Sequence, residues 1–325
     1  MVLSNGMFDV IKQDLALLED ELLQAVASPV ELVTEIGTHL VKSGGKRLRP
    51  ALYFLSAHGG RSFEMQRVMP LAVAVELIHM ASLVHDDVLD HADTRRGTPT
   101  ANAKWGNQLS ILSGDYLFAR AFSLVAGKGY DDRISMRLSE LICDLSSGEI
   151  IQNKELYKAS CDVEEYYERI ARKTANFLAV CCEMGGIVAG MEPRETDALY
   201  RYGYSIGMAF QITDDLLDLT SSKKKIGKPA GNDILQGIVT LPVIRALETS
   251  ADADELHAIV TNRQMTQEEL ARALAIVSES GGLDFAKQRV KEFLQQAKES
   301  LTAELPKDIR KTYEKAADYI AKRES

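Results

Sequence analysis

Two short stretches of this chain place carboxylates in a way that invites chemistry. The segments LVHDDVLDHADTRRG (83–97) and QITDDLLD (211–218) both contain Asp-Asp-x-x-Asp. On a helix, positions i and i+4 share a face, so Asp86 stacks over Asp90, with Asp93 joining them if the helix continues. Asp214 stacks over Asp218 in the same way. Stacked carboxylates repel unless a cation sits between them. Their hard oxygens suit Mg²⁺, which takes one or two carboxylates and fills its remaining positions with phosphate oxygens and water. One such cluster is as well explained by a solvated acidic face; two, each following apolar residues, point to several ions clamping a polyanion.

Other metal chemistries fit less well. Counted from Asp86, position twelve is Gly97, where a calcium-binding EF-hand loop needs a glutamate. His85-Asp86 invites comparison with His-Asp metal phosphohydrolases, but the second cluster holds no histidine, and the six histidines lie at 39, 58, 79, 85, 91 and 257.

Basic residues answer the aspartates. SGGKRLRP (43–50) spaces Lys46 and Arg49 three apart, as on one helical face, after a glycine pair. Arg95 and Arg96 follow the first cluster in a coil-like segment where consecutive side chains diverge, so the pair suits two different anions. Guanidinium forks match phosphate oxygens. Lys173 with Thr174, and Lys228 in the loop KKKIGKPAGND (223–233), add donors. Together these residues describe a site for two diphosphates.

The elements that must position them read as helices. Prolines are absent from 100 to 192, and most segments carry apolar residues at three- and four-residue spacing. MPLAVAVELIHMASLVHDDVLD predicts a helix from near Pro70 past Asp90 that is apolar almost all round, hence central in a bundle. Turns are expected near 43–45, 58–61, 97–99, 127–132 and 280–283, and Pro306 separates two amphipathic C-terminal helices. No alternating β-branched run predicts a sheet, and no linker divides residues 1–325, so a single all-α domain is expected.

Composition limits the partners. A net charge of −9 over 325 residues argues against nucleic acid as the main ligand. Four cysteines (143, 161, 181, 182) lack the spacing of a disulfide framework or a zinc site. The N-terminal stretch meets Asp9 and Asp14 too early for a signal peptide, and the apolar run 69–84 contains Glu76 and His79, so no transmembrane segment is expected and the location reads as cytoplasmic.

GGKRLRP, ELIHMASLVHDDVLDHADTRRG, KT, QITDDLLD and GKPAGND occur in the order and spacing of the all-trans polyprenyl diphosphate synthases, which the chain resembles over about 40–245. It is similar to bacterial medium- and long-chain members, among them the catalytic subunit of heptaprenyl diphosphate synthase. The resemblance implies an isoprenoid synthase fold, a helical bundle around a central cavity. It implies Mg²⁺ bridging Asp86, Asp90 and Asp214 to an allylic diphosphate, with Asp87, Asp215 and Asp218 as further ligands or supports. Arg95, Lys173, Thr174, Gln211 and Lys228 are then expected at that diphosphate, and Lys46, Arg49, His79 and Arg96 at isopentenyl diphosphate. One departure is Ile238, where many relatives carry lysine.

The implied reaction condenses isopentenyl diphosphate with an allylic primer, farnesyl diphosphate being the expected one, to build quinone side chains. A homodimer, or a heterodimer with a small non-catalytic subunit, is implied as well. Ala81 and Ser82, one turn before the aspartates, are expected to border the growing product and leave room for about thirty to forty carbons by the same resemblance. The alternatives are a non-catalytic scaffold subunit, which should have lost aspartates, and the His-Asp hydrolase.

Overall fold

The computed structural model describes residues 6–159, 162–220 and 230–322. The chain is helical nearly throughout, as the apolar spacing predicts. Among the described residues the only strands are Thr94–Arg95 and Thr98–Pro99, an antiparallel pair directly after the first aspartate cluster. The expected turns fall between helices, and the break before Pro306 separates helices Gly282–Ser300 and Lys307–Lys322.

The chain forms two compact units. The first comprises Met1–Ile142, Val180–Tyr200 and Thr302–Tyr313. Its central element is helix Met65–Leu89, with Leu71, Ala72, Val73, Ala74 and Val75 all at most 2% exposed. Five consecutive buried residues leave no polar face, which is the pattern of a helix enclosed by others. The helix begins five residues before Pro70, so the proline sits within it and does not open it. By length and mean hydropathy of 1.6 it is long and apolar enough to cross a membrane, but 72% of that window is buried inside the protein. Helix Leu48–His58 packs beside it, with the Tyr53 hydroxyl donating to the Val68 carbonyl at 2.9 Å. Helix Asn107–Val125 runs along it as well.

The second unit comprises Cys143–Ala179, Arg201–Leu301 and Glu314–Ser325. Helix Val163–Ile170 opens with a capping box, in which the Asp162 carboxylate accepts the Glu165 N–H at 2.7 Å and Glu165 reaches back to the Asp162 N–H. It runs into a wide π turn, Ala171–Ala175, which carries Lys173 and Thr174. Helix Pro193–Thr220 carries the second aspartate cluster near its C-terminal end.

Candidate active site

In the first unit, helix Met65–Leu89 ends at the aspartates. Asp90 is its C-cap, and the Asp90 N–H still donates to the Asp86 carbonyl at 2.8 Å, so the one-turn stacking of the two side chains holds. His91 then adopts φ of +50° and ends the helix, which leaves Asp93 off this face. Asp86 is half-buried and Asp90 exposed. Asp87 points inward, 3% exposed, and accepts from Arg95 Nε at 2.7 Å. The expected coil around the arginines is a tight hairpin. Arg96 and Gly97 both have positive φ (+53° and +77°), as a two-residue turn of this hand requires. The turn sends Arg95 to Asp87 and Arg96 to the Gly44 carbonyl, which its Nη1 contacts. The glycine pair has a second use here: a Cβ on Gly45 would meet Arg96 Nη1 at 2.6 Å.

Lys46 and Arg49 do not share a helical face. Gly44 and Arg47 both take positive φ, so the helix starts only at Leu48 and Lys46 lies exposed before it. Arg49 Nη1 sits 3.1 Å from His79 Nε2. A guanidinium only donates, so that nitrogen of His79 accepts and the ring is neutral. Burial, then the charges of Arg49, Arg96, Arg95 and Arg47, hold its pKa well below the usual histidine range. His79, Arg95 and Arg96 line a pocket with Ser43, Met80 and Leu83. Two of its other lining residues, Arg47 and Glu76, belong to a group that reading the sequence for ligands missed. Arg47, 4% exposed, pairs with Glu76 at 2.7 Å and Glu19 at 2.7 Å and donates to the Val41 carbonyl at 3.1 Å. The signal was Glu76 itself, since a carboxylate within the otherwise apolar stretch 68–78 needs a buried cation.

The second cluster is built alike but balanced differently. Asp214 and Asp218 are half-buried, and Asp218 Oδ2 accepts the Asp233 N–H at 3.1 Å. Asp215 is 5% exposed and accepts from the Tyr166 hydroxyl at 2.7 Å and Gln211 Nε2 at 2.9 Å. Burial pushes its pKa up to about 6, against the hydrogen bonds from Tyr166 and Gln211. The Gln211 carbonyl oxygen in turn accepts from Thr174 at 2.9 Å. Thr174 and Gln211, expected at the diphosphate, are thus engaged in holding Asp215. Lys173 lies against Glu149 (2.5 Å) and Gln152 (3.0 Å). Lys228 lies outside the described residues. Ile238 is half-buried, its N–H donating to the Asp233 carbonyl at 2.8 Å. Arg169, also missed, is 3% exposed and ties Glu155 to the Val239 carbonyl, each at 2.6 Å.

Asp87 and Asp215, expected as further ligands or supports, are held by protein partners. Among the described residues, no group of three or more His, Cys, Asp or Glu side chains gathers closely enough to cage an ion. His85 Nε2 lies 3.1 Å from the Ile111 carbonyl, its ring meets Phe118 edge-on, and Gly114 supplies the space it fills. Ala81 is fully buried and Ser82 half-buried.

Known proteins resemble the chain over most of its length. The Polyprenyl synthetase family model matches residues 30–277. The chain is 38% identical over 317 residues to heptaprenyl diphosphate synthase component 2 of Bacillus subtilis, covering 97% of this chain and 90% of that protein. It is 46% identical over 242 residues to the component 2 of Geobacillus stearothermophilus, covering 74% and 75%. The crystal structure of a polyprenyl synthase from Caulobacter crescentus, complexed with calcium and isoprenyl diphosphate, superposes with a TM-score of 0.90 at 32% identity, covering 98% of this chain and 97% of that one. With both aspartate clusters in place on an all-α isoprenoid synthase fold, the chain belongs to the polyprenyl synthetase family and is a polyprenyl diphosphate synthase, a prenyltransferase.

Proposed function

We propose that the chain condenses isopentenyl diphosphate with an allylic diphosphate, farnesyl diphosphate being the preferred primer, in the presence of Mg²⁺. The observation that carries this reading is the common design of the two clusters. In each, the middle aspartate is buried and tied to the protein, while the outer two, one turn apart, reach solvent. Anchoring the middle residue fixes the helix end and so the spacing of the outer pair. Asp86, Asp90, Asp214 and Asp218 are the proposed ligands, with Asp87 and Asp215 as their supports. Bound Mg²⁺ supplies Lewis-acid neutralisation of the departing diphosphate.

The chain's own residues do the rest. Arg49 and Arg96 hold isopentenyl diphosphate, joined by Lys46, with neutral His79 fixing Arg49. Arg95 and Lys173 face the allylic diphosphate, with Lys228 as a further donor. Met80 and Leu83, beside the basic pocket, give the reacting carbons an apolar wall that excludes water as positive charge develops. Departing pyrophosphate takes the proton lost from the isopentenyl unit, so no side-chain base is required.

The whole chain serves as one catalytic domain in the cytoplasm. Leu109, Ile111 and Leu112, 36–57% exposed on one helix, support an interface with a second copy or a small partner subunit, and the component 2 naming of relatives supports the latter. Products longer than twenty carbons, for quinone side chains, follow from the heptaprenyl relatives. Incubating the purified chain with farnesyl and isopentenyl diphosphates and Mg²⁺, then sizing the products, is the test. Polyprenyl diphosphates beyond twenty carbons are expected, and hydrolysis of either substrate without condensation would overturn the reading.

A further inference from the structure

Lys173 is held by side chains of helix Asp132–Glu155. The π turn Ala171–Ala175 widens the backbone so that Arg172 and Lys173 both reach helix Asp132–Glu155. Arg172 bonds Asp144 (3.2 Å) and Ser147 (3.1 Å), and Asn176 bonds the other Asp144 oxygen at 2.7 Å, which fixes the turn on both sides. Gly148 allows the approach: a Cβ there would come within 3.0 Å of Lys173 Cγ and 3.1 Å of Arg172 Cβ. The Lys173 ammonium then lies 2.5 Å from Glu149 Oε2 and 3.0 Å from Gln152 Oε1, while Gln152 Nε2 donates to the other Glu149 oxygen at 3.3 Å. Glu149 is 15% exposed and Lys173 28%. The pair is therefore at the edge of solvent, within reach of an incoming anion.

We propose that Glu149 is a resident counter-anion for Lys173, competing with the allylic diphosphate for the ammonium and reclaiming it when pyrophosphate leaves. This rests on the reading of Lys173 as a diphosphate ligand. A carboxylate in that position weakens diphosphate binding twice, by sharing the ammonium and by repelling the ligand's own charge. It thereby limits how tightly the pyrophosphate product is held, and a synthase that must release pyrophosphate after every condensation gains turnover from that limit. Glu149 is thus a positioning residue acting through Lys173. A mere structural brace would give the opposite result, since loosening Lys173 would weaken binding.

Titration of the intact protein with inorganic pyrophosphate in the presence of Mg²⁺, followed by calorimetry, separates these possibilities. Glu149→Gln keeps the side chain's shape and leaves an oxygen for Gln152, so folding is preserved. It should bind pyrophosphate at least about fivefold more tightly, with a lower KM for the allylic substrate and an unchanged KM for isopentenyl diphosphate. Lys173→Met should weaken binding, and adding Glu149→Gln to it should then change affinity little. Unchanged or weaker binding by Glu149→Gln, alongside a weakened Lys173→Met, overturns the proposal. Wild-type affinity in Lys173→Met overturns the reading of Lys173 itself and the proposal with it.

Discussion

The two aspartate clusters share a layout and differ in what neutralises their centre. Asp87 meets a guanidinium, and Arg47, Arg49, Arg95 and Arg96 all act on the neighbouring His79. The hydrogen-bond partners of Asp215 among the described residues are the neutral Tyr166 and Gln211, and its carboxyl is held at about 6. The buried middle aspartate is common to both, so its role does not depend on how its charge is met. In both it ties the helix to a neighbouring segment. The difference lies in how the middle charge is met: Asp87 is bonded to a guanidinium, whereas Asp215 is bonded to neutral groups and feels Arg169 only through space.

The largest effects test the likeness of the clusters. Asp86→Ala and Asp214→Ala should each lower turnover by about three orders of magnitude or more, with the fold intact because a repulsion has been removed. If both serve one allylic diphosphate, the double variant should be little worse than either single one, since residues acting as a unit are not additive. Near-normal rates in either single variant would remove the metal assignment. Fully multiplicative losses would argue that the clusters act in separate steps.

The next prediction targets the difference. Asp87→Asn keeps the shape of the side chain but leaves Arg95 facing a neutral amide. The bond loses its charge assistance, and with Arg95 about a third exposed the cost should be modest, about 1–2 kcal/mol, with a raised KM for the allylic substrate. Asp215→Asn keeps an oxygen that accepts from Tyr166 or Gln211 and removes a buried charge with no cation bonded to it. Its stability should be unchanged or higher. Urea unfolding with a chelator present compares the two variants; greater destabilisation by Asp215→Asn would mean that Asp215 is balanced by charge after all.

These partners mark what the sequence could and could not convey. The helix of residues 65–89 and both DDxxD stackings were legible, because apolar runs and i, i+4 spacing are local properties. Which aspartate faces inward was less so, since Asp86 and Asp87 are equivalent until something packs against one of them. Lys46 and Arg49 misled by the same token: spacing suggested one helical face, while left-handed conformations at Gly44 and Arg47 start the helix later. Tyr166, Gln152 and Glu149 carried no signal at all. Their roles arise from segments that the chain brings together across 49 residues for Tyr166 and Asp215.

His79 gives a smaller effect, confined to the first cluster's side of the comparison. Its pKa is lowered in the folded protein by burial and by the surrounding arginines. Below the unfolded pKa of about 6.5 the unfolded chain takes up a proton that the folded one refuses, so stability falls as pH drops through that value. One proton sets a limit of about 1.4 kcal/mol per pH unit. His79→Gln, which keeps an acceptor for Arg49, should flatten the fall between pH 7.5 and 5.5 in urea unfolding measurements. An identical slope in the variant would show that other groups carry the acid sensitivity.

The smallest expected effect on rate concerns the residues one turn before each cluster, where the two helices differ again. Ala81 and Ser82 precede Asp86, whereas Ala209 and Phe210 precede Asp214. Both alanines are fully buried, and Ser82 and Phe210 are half-buried. Ala81 lies one turn before His85, whose ring is seated at Gly114 of helix Asn107–Val125, so the face it shares with His85 is closely packed. Ser82 is one turn before Asp86 itself, on the face where a product growing away from the first cluster would run. The two positions therefore carry different predictions. Ser82→Phe should shorten the product to about fifteen to twenty carbons at a comparable condensation rate and near-normal stability, whereas Ala81→Phe should overpack the helix contact and cost about 1–3 kcal/mol. Ala209→Phe is the control on the second helix, expected to cost stability without changing product size. Sizing products and measuring unfolding for all three variants decides the matter. Full-length product from Ser82→Phe would place the growing chain elsewhere, and shortened product from a stably folded Ala81→Phe would show that both residues border its path.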